Sequence, residues 1–219
     1  MSSFVSAQEI KEEEHPNLTV GADMVSRYVW RGTDFGNAPA IQPTLEYSKK
    51  GFSVGAWGSY SLSSNTGGLE ADLYVSYAFD FGLSLSITDY YFPGEQLIND
   101  NNALYPLRNG SYFDGSSHIL EAGVGYGIGD LSLSANYMFV GAEQDMYFEA
   151  KYAFGPFAAF VGAGNEQYTS DNSFTVCNVG ISASKDIHVS DKWTLPVSST
   201  FILNPDTEQV HLVFDIGIY

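Results

Sequence analysis

The sequence predicts an all-β fold, a closed antiparallel transmembrane β-barrel of about twelve strands. Three observations predict it. Apolar and polar residues alternate with period two along nearly the whole chain. The connections between the alternating runs are short and long by turns. No apolar run reaches the roughly 18 residues that a membrane-spanning helix requires.

Taken in order, Leu18, Val20, Ala22, Met24, Tyr28 and Trp30 form the first apolar face. The stretch "DMVSRYVWRG" (23–32) therefore reads as a strand, with Asp23, Arg27 and Arg31 projecting from the opposite face. Ile41, Leu45 and Tyr47 mark the second strand, and Phe52, Val54, Ala56 and Tyr60 the third. Leu69 to Phe79 alternates with Glu70, Asp72 and Ser76, and Leu83, Leu85 and Ile87 follow. Leu120 to Ile128 and Leu131 to Phe139 are the next two, then Phe148 to Phe154. Phe157, Ala159 and Val161 are shorter and less regular. Cys177 to Ala183, Trp193 to Phe201 and Val210 to Ile218 complete the set.

"SKKG", "FDFG", "GIGD" and "FGP" are tight turns. Between them lie the longer segments 32–39, 61–68, 92–117, 141–145 and 165–173, while 185–192 breaks the pattern as a longer connection among the tight ones. Short turns at one end and long loops at the other are the layout of an outer-membrane barrel, and an even strand count places both termini at the short-turn, periplasmic end. Tyr47, Tyr77, Phe79, Tyr126, Tyr137, Phe139 and Trp193, with Tyr28 and Trp30, fall near strand ends, where interfacial aromatics belong. The chain closes on "HLVFDIGIY", with Tyr219 off the apolar parity.

The start, "MSSFVSAQ" (1–8), is expected to be the remnant of a secretory signal, because Val5-Ser6-Ala7 has the small-residue pattern of a cleavage site. Residues 9–17 read as a flexible acidic periplasmic tail, and 18–219 as the barrel. The net charge of −17 disfavours nucleic acid as a partner. A single cysteine, Cys177, excludes an internal disulfide and a cysteine-rich zinc site.

In a membrane barrel the apolar face meets lipid and the polar face lines the lumen. The expected pore-lining set is Asp23, Arg27, Arg31, Glu46, Glu70, Asp72, Glu121, Glu149, Lys151 and Asp215, with Gln42, Thr44, Asn136, Trp57 and Tyr147. Acids outnumber bases on this face, which favours cations or neutral solutes. Glu46 on the second strand is the natural cross-strand partner for the arginines, and Asp72 lies two strands further round. The alternative is that the charges neutralise one another and close the lumen.

The segment 92–117 is long enough to constrict or cover the mouth. Its Asn/Asp run lacks the order of a calcium loop. The histidines, His15, His118, His188 and His211, share no metal-ligand spacing, so no metal, cofactor or catalytic activity is expected. His118 is expected to be interfacial.

The stretches "VSRYVWRGTDFGNAPAIQPTLEY", "GFSVGAWGS", "EADLYVSYAF", "DYYFPG", "LEAGVGYG", "LSLSANYMF" and "YFEAKYAFGPF" resemble the TorF-like porin family. Arg27, Trp30, Arg31, Gly32, Pro39 and the Tyr91-Phe92-Pro93-Gly94 turn lie on its motif. The resemblance implies an outer-membrane barrel of porin architecture, and with the charged lumen face the expected activity is passive diffusion of small hydrophilic solutes. Its partners would be outer-membrane lipid, lipopolysaccharide and, during biogenesis, the barrel-assembly machinery. A non-conducting barrel with a structural or surface-interaction role is the alternative.

Overall fold

Strands with one apolar and one polar face leave unpaired backbone groups at the sheet edges, and closing the sheet removes those edges. The computed structural model, which describes residues 16–63, 69–93, 111–191 and 193–219, shows this solution. The wall strands are β1 (Asn17–Val25), β4 (Ala40–Lys49), β5 (Phe52–Ser61), β6 (Glu70–Ala78), β7 (Leu83–Tyr91), β8 (His118–Ile128), β9 (Leu131–Val140), β10 (Met146–Phe154), β11 (Phe157–Glu166), β12 (Asn172–Ser190), β13 (Trp193–Asn204) and β14 (Gln209–Ile218). They close in sequence order, with β1 between β14 and β4. Every wall pairing is antiparallel. A separate two-stranded ribbon, β2 (Val29–Trp30) with β3 (Thr33–Asp34), lies between β1 and β4 in sequence.

The apolar parity points outward. Leu73 is 48% exposed and Leu133 43%, whereas Asp72 on the other face is 5% exposed. Tyr47, Tyr77, Tyr126, Tyr137 and Phe139 are exposed on the wall, as the aromatic-girdle expectation requires, whereas Phe79 lines the lumen and Trp193, opposite Ser190, stands beyond the wall. The inward face carries the buried polar residues Gln42, Ser59, Glu70, Asp72, Glu121 and Asn178.

Closure rests on a short seam. β1 pairs with β4 from Asn17 to Val25, but with β14 only from Ala22 to Val25. Tyr219 sits inward at this seam, with its ring against Gly21 and Gly217 and its hydroxyl donating to Asp23 Oδ1 at 2.6 Å. Its off-parity position thus places it in the lumen, where it caps the place at which the β14 pairing ends.

Two boundaries differ from the sequence reading. β11 is a full strand, helped by a register shift against β12 between Gly162 and Ala163. The stretch 185–192 is not a long connection: β12 continues to Ser190 and pairs with β13 as far as Ser190 opposite Trp193. Polar Lys185, Asp186 and His188 broke the apolar run, yet exposed strand needs no apolar face once it has left the wall. Because β11 stops pairing at Ala183, the hairpin projects about 23 Å past its neighbour. Residues 1–15, which hold the expected signal remnant and most of the acidic tail, and 94–110 of the long loop lie outside the described residues.

Replacing outward Leu133 with Arg is expected to destabilise the barrel folded in phospholipid vesicles by about 2–4 kcal/mol, read by denaturant unfolding. The same replacement at inward Ser132 should cost less. Equal costs at both positions would contradict the assigned faces.

Candidate functional site

The sequence reading carries β1 on to Trp30, but the wall strand stops at Val25. At Ser26 the chain is fixed to β14 by two bonds of 2.8 Å, its N–H donating to the Phe214 carbonyl and its Oγ accepting from the Phe214 N–H. It then turns into the lumen. Tyr28 and Trp30, expected among the lipid-side aromatics, are 4% and 7% exposed and lie inside. Adjacent polar Ser26 and Arg27 break the period-two pattern there, and that slip is the sequence signal for the departure.

Arg31 and Gly32 occupy the two central positions of the β2–β3 turn, with φ of 51° and 84°. Positive φ at both positions is the requirement of a tight type I′ hairpin. Gly32 is also needed for space, since a Cβ there would strike the Cys177 carbonyl on β12. Arg31 has no such freedom, and a left-handed backbone costs a non-glycine residue about 1–2 kcal/mol.

The Arg31 side chain offsets that cost. Its Nη1 and Nη2 donate to Glu121 Oε2 and Oε1 at 2.5 and 2.9 Å, a bidentate pair. Nη1 also donates to the Tyr168 hydroxyl at 2.5 Å. The guanidinium carbon lies 4.2 Å from the Trp30 ring centroid and 4.7 Å from that of Tyr147. Both partners of the ion pair are buried, with side chains 3% and 5% exposed.

Around this pair the inward segment reaches much of the wall. Tyr28 donates to Glu70 Oε2 on β6 at 2.8 Å, and Tyr90 on β7 donates to Glu121 Oε1 at 3.0 Å. Asn204 Nδ2 on β13 donates to the Gly32 carbonyl at 3.2 Å. Phe35 packs 5.3 Å from Tyr28 and 5.9 Å from Trp30. The buried cluster extends through Val25, Ala40, Ile119, Met138, Tyr147, Tyr168 and Cys177, so side chains from β1, β4 and β7 to β10 and from β12 meet at this level. The lumen is filled here, at the long-loop end.

Beneath the layer is a cavity of about 560 Å³. It runs from Trp30 and Arg31 to the Phe79–Gly82 turn at the opposite end. Its far wall is cut from small residues: Ser84 and Ser86 on β7, Gly123 and Gly125 on β8, Ser132 and Ser134 on β9. Five acids line it, Glu46, Glu70, Asp72, Asp80 and Glu121, against one base, Arg31.

The expected pore-lining residues separate into groups. Arg31, Glu46, Glu70, Asp72 and Glu121 line this cavity. Glu46 does not hold an arginine but accepts from Tyr74 at 2.9 Å, because the inward turn carries Arg31 across to β8. Arg27 is not part of the wall; it pairs within its own loop with Asp34 at 2.5 Å and is partly exposed. Glu149 accepts from Tyr147 at 2.6 Å and Asn178 at 3.1 Å, with Lys151 close enough to bear on its charge. Asp23 and Asp215 lie at the β1–β14 seam. Expected Trp57 meets Tyr28, with centroids 5.6 Å apart.

The reading of the polar face missed Tyr28, Trp30, Tyr90 and Tyr168, whose rings look apolar in a pattern, and the small-residue stripe, visible as glycine at alternate positions in "GVGYGIG". Among loop groups, burial raises the Tyr168 hydroxyl well above its ordinary range, keeping it a neutral acceptor for Arg31. Burial also lifts the Asp145 carboxyl to about 6, opposed by the Glu143 N–H and reinforced by Glu166. His118, at the start of β8, is bound at both ring nitrogens, to Asp89 at 2.8 Å and the Tyr112 carbonyl at 2.6 Å.

An apolar-out, charged-in closed barrel of twelve strands is a transmembrane β-barrel, here carrying its own first loop inside. The chain belongs to the Gcw_chp family, described as bacterial protein of unknown function, whose model matches residues 11–199. No curated protein matches it. Among solved structures it is similar to a triple mutant of the Rh. blastica porin, at 14% identity and a TM-score of 0.37, over 82% of this chain and 54% of that one. The chain thus spans about half the length of that porin.

Breaking a buried ion pair by removing one partner typically costs about 3–5 kcal/mol. Glu121→Ala is therefore expected to lower unfolding stability by about that amount, and Arg27→Ala by no more than about 1 kcal/mol. Denaturant titration of the refolded barrel checks both, and comparable losses would contradict the distinction drawn between the two arginines.

Proposed function

We propose that the protein is an outer-membrane, porin-like barrel that its first loop holds shut, admitting small hydrophilic solutes passively when that segment moves aside. The observation that carries this reading is the layer formed by segment 26–39, in which Arg31 is fixed to Glu121 above a cavity that runs along β4 to β9. The resemblance to TorF-like porins agrees with it. On this reading both termini and the short turns are periplasmic, lipid and lipopolysaccharide surround the outer face, and the barrel has no catalytic role.

The energetics set how often the conduit opens. If displacement exposes one ion-pair partner at about 3–5 kcal/mol, the open state is populated at roughly one part in 10² to 10⁴. The acid-rich lining makes any current cation-preferring. The same buried pair also favours the alternative of a permanently closed structural barrel.

Planar-bilayer recording separates the two. The unaltered protein is expected to show rare, brief openings, and Glu121→Gln to raise the open probability at least about tenfold with a cation-selective reversal potential. A silent Glu121→Gln barrel, shown to be folded by its circular dichroism, would sink the channel and leave the structural reading. Steady large conductance in the unaltered protein would sink the closed state instead.

A further inference from the structure

We infer that the lumenal cavity binds a neutral disaccharide, with a sugar ring lying on Tyr74 and its hydroxyls meeting the Ser, Thr and Asn side chains of β7 and β9. This deepens the functional reading by naming a solute class and rests on the lumen being the working site. Binding without flux is measured, so the two can fail separately.

The inference starts from polar groups that the protein itself leaves unused. Ser84, Ser86 and Thr88 on β7 and Ser132 and Asn136 on β9 line the cavity, and their side chains make no hydrogen bond among the described residues. Their polar atoms are open to the lumen, in contrast to the sealed, unpartnered Oγ of Ser134. Register sets them side by side: Ser86, Gly123 and Asn136 stand in one cross-strand row, and Ser84, Gly125 and Ser134 in the next. The rows lie about 7 Å apart along the strands. Ser86 Oγ and Ser84 Oγ occupy the space over the two glycines, 2.4 Å from where each Cβ would stand. The three strands thus present a shallow surface of hydroxyls and one amide, groups that both donate and accept.

Tyr74 supplies the other half of the site. It lines the cavity from β6, in register with Thr88 on β7. Its ring crosses Gly55 on β5, with its hydroxyl and Cζ 2.4 and 2.5 Å from where a Gly55 Cβ would stand, and its hydroxyl donates to Glu46 on β4 at 2.9 Å. A ring laid along the wall in this way turns one face to the lumen. The C–H face of a pyranose packs on such a ring while its hydroxyls reach the neighbouring polar groups.

Charge and size select among hydrophilic solutes. The acid-rich lining disfavours an anion. The deeper carboxylates are engaged within the protein: Glu121 by Arg31, Glu46 by Tyr74, and Glu70 by Tyr28 and Asp72. The groups left for a ligand are therefore neutral. The cavity, at about 560 Å³, falls among ligand pockets of roughly 300–1,000 Å³. From Ser84 to Thr88 the polar surface runs about 13 Å, which suits two pyranose rings end to end better than one.

The test uses the full chain folded in lauryldimethylamine oxide, a detergent without a sugar headgroup, titrated with maltose, cellobiose and sucrose. The signals are calorimetric heat and the fluorescence of Trp30 and Trp57, which line the cavity. Saturable one-to-one binding of at least one disaccharide is expected, at least about fivefold tighter than glucose or glucose 6-phosphate. Tyr74→Ala should weaken it at least about tenfold, and Tyr74→Phe, which keeps the ring, by no more than about threefold. Asn136→Ala, on a different strand, should weaken it about fivefold. Asp186→Asn, on the exposed hairpin, should leave it unchanged. The inference is overturned if none of the three disaccharides saturates, if glucose 6-phosphate binds as tightly, or if folded Tyr74→Ala and Asn136→Ala both bind as the unaltered protein does. Binding that persists in a protein silent in bilayers would uphold the site while removing the channel.

Discussion

The Arg31–Glu121 ion pair is the constraint on which the interior depends. Glu121 alone on the inner face of β8 would be a buried carboxylate without a countercharge, and Arg31 alone would be a buried guanidinium in a left-handed backbone with no anion to neutralise it. Each makes the other tolerable. The pair also brings Trp30, Tyr147 and Tyr168 against one guanidinium, so that the loop becomes part of the barrel's packing rather than a flap over its mouth.

The interior is divided into two regimes by side-chain size. On β7, β8 and β9, Ser and Gly at inward positions leave a cavity, and glycine there is set by neighbours as well as by need for space: a Cβ on Gly123 would meet Ser86 and Asn136. On β10 to β12 the inward positions hold Tyr147, Glu149, Phe160 and Asn178, and Tyr147 and Phe160 close over Gly162 and Gly180. An alternation between small and large inward residues thus decides where the barrel is hollow. The outward face carries none of this information, because lipid accepts any apolar side chain of suitable length.

The wall was largely legible in the sequence and the site only in part. Period-two alternation gives inside from outside at positions such as Leu73 and Asp72, and loop-length alternation gives the ends. Both are local signals. The inward fold of 26–39 is not local: Arg31 finds its partner 90 residues away, and nothing near Arg31 in the chain identifies Glu121 as that partner. Pairing by strand adjacency pointed to Glu46, which would have been right had β1 run on to Trp30. The hairpin at 185–192 escaped for the opposite reason, since strand beyond the wall loses the alternation by which strand is recognised.

The central claim is that segment 26–39 lies within the lumen, pressed on β12 at Cys177. Cys177 is a fully buried thiol whose carbonyl abuts Gly32, which makes it a native reporter. The decisive measurement is its rate of modification by a membrane-impermeant maleimide in the barrel reconstituted in vesicles. The account predicts protection in the unaltered protein and modification in Gly32→Val, where the added side chain drives the segment off the wall. Prompt modification of the unaltered, folded barrel would contradict it.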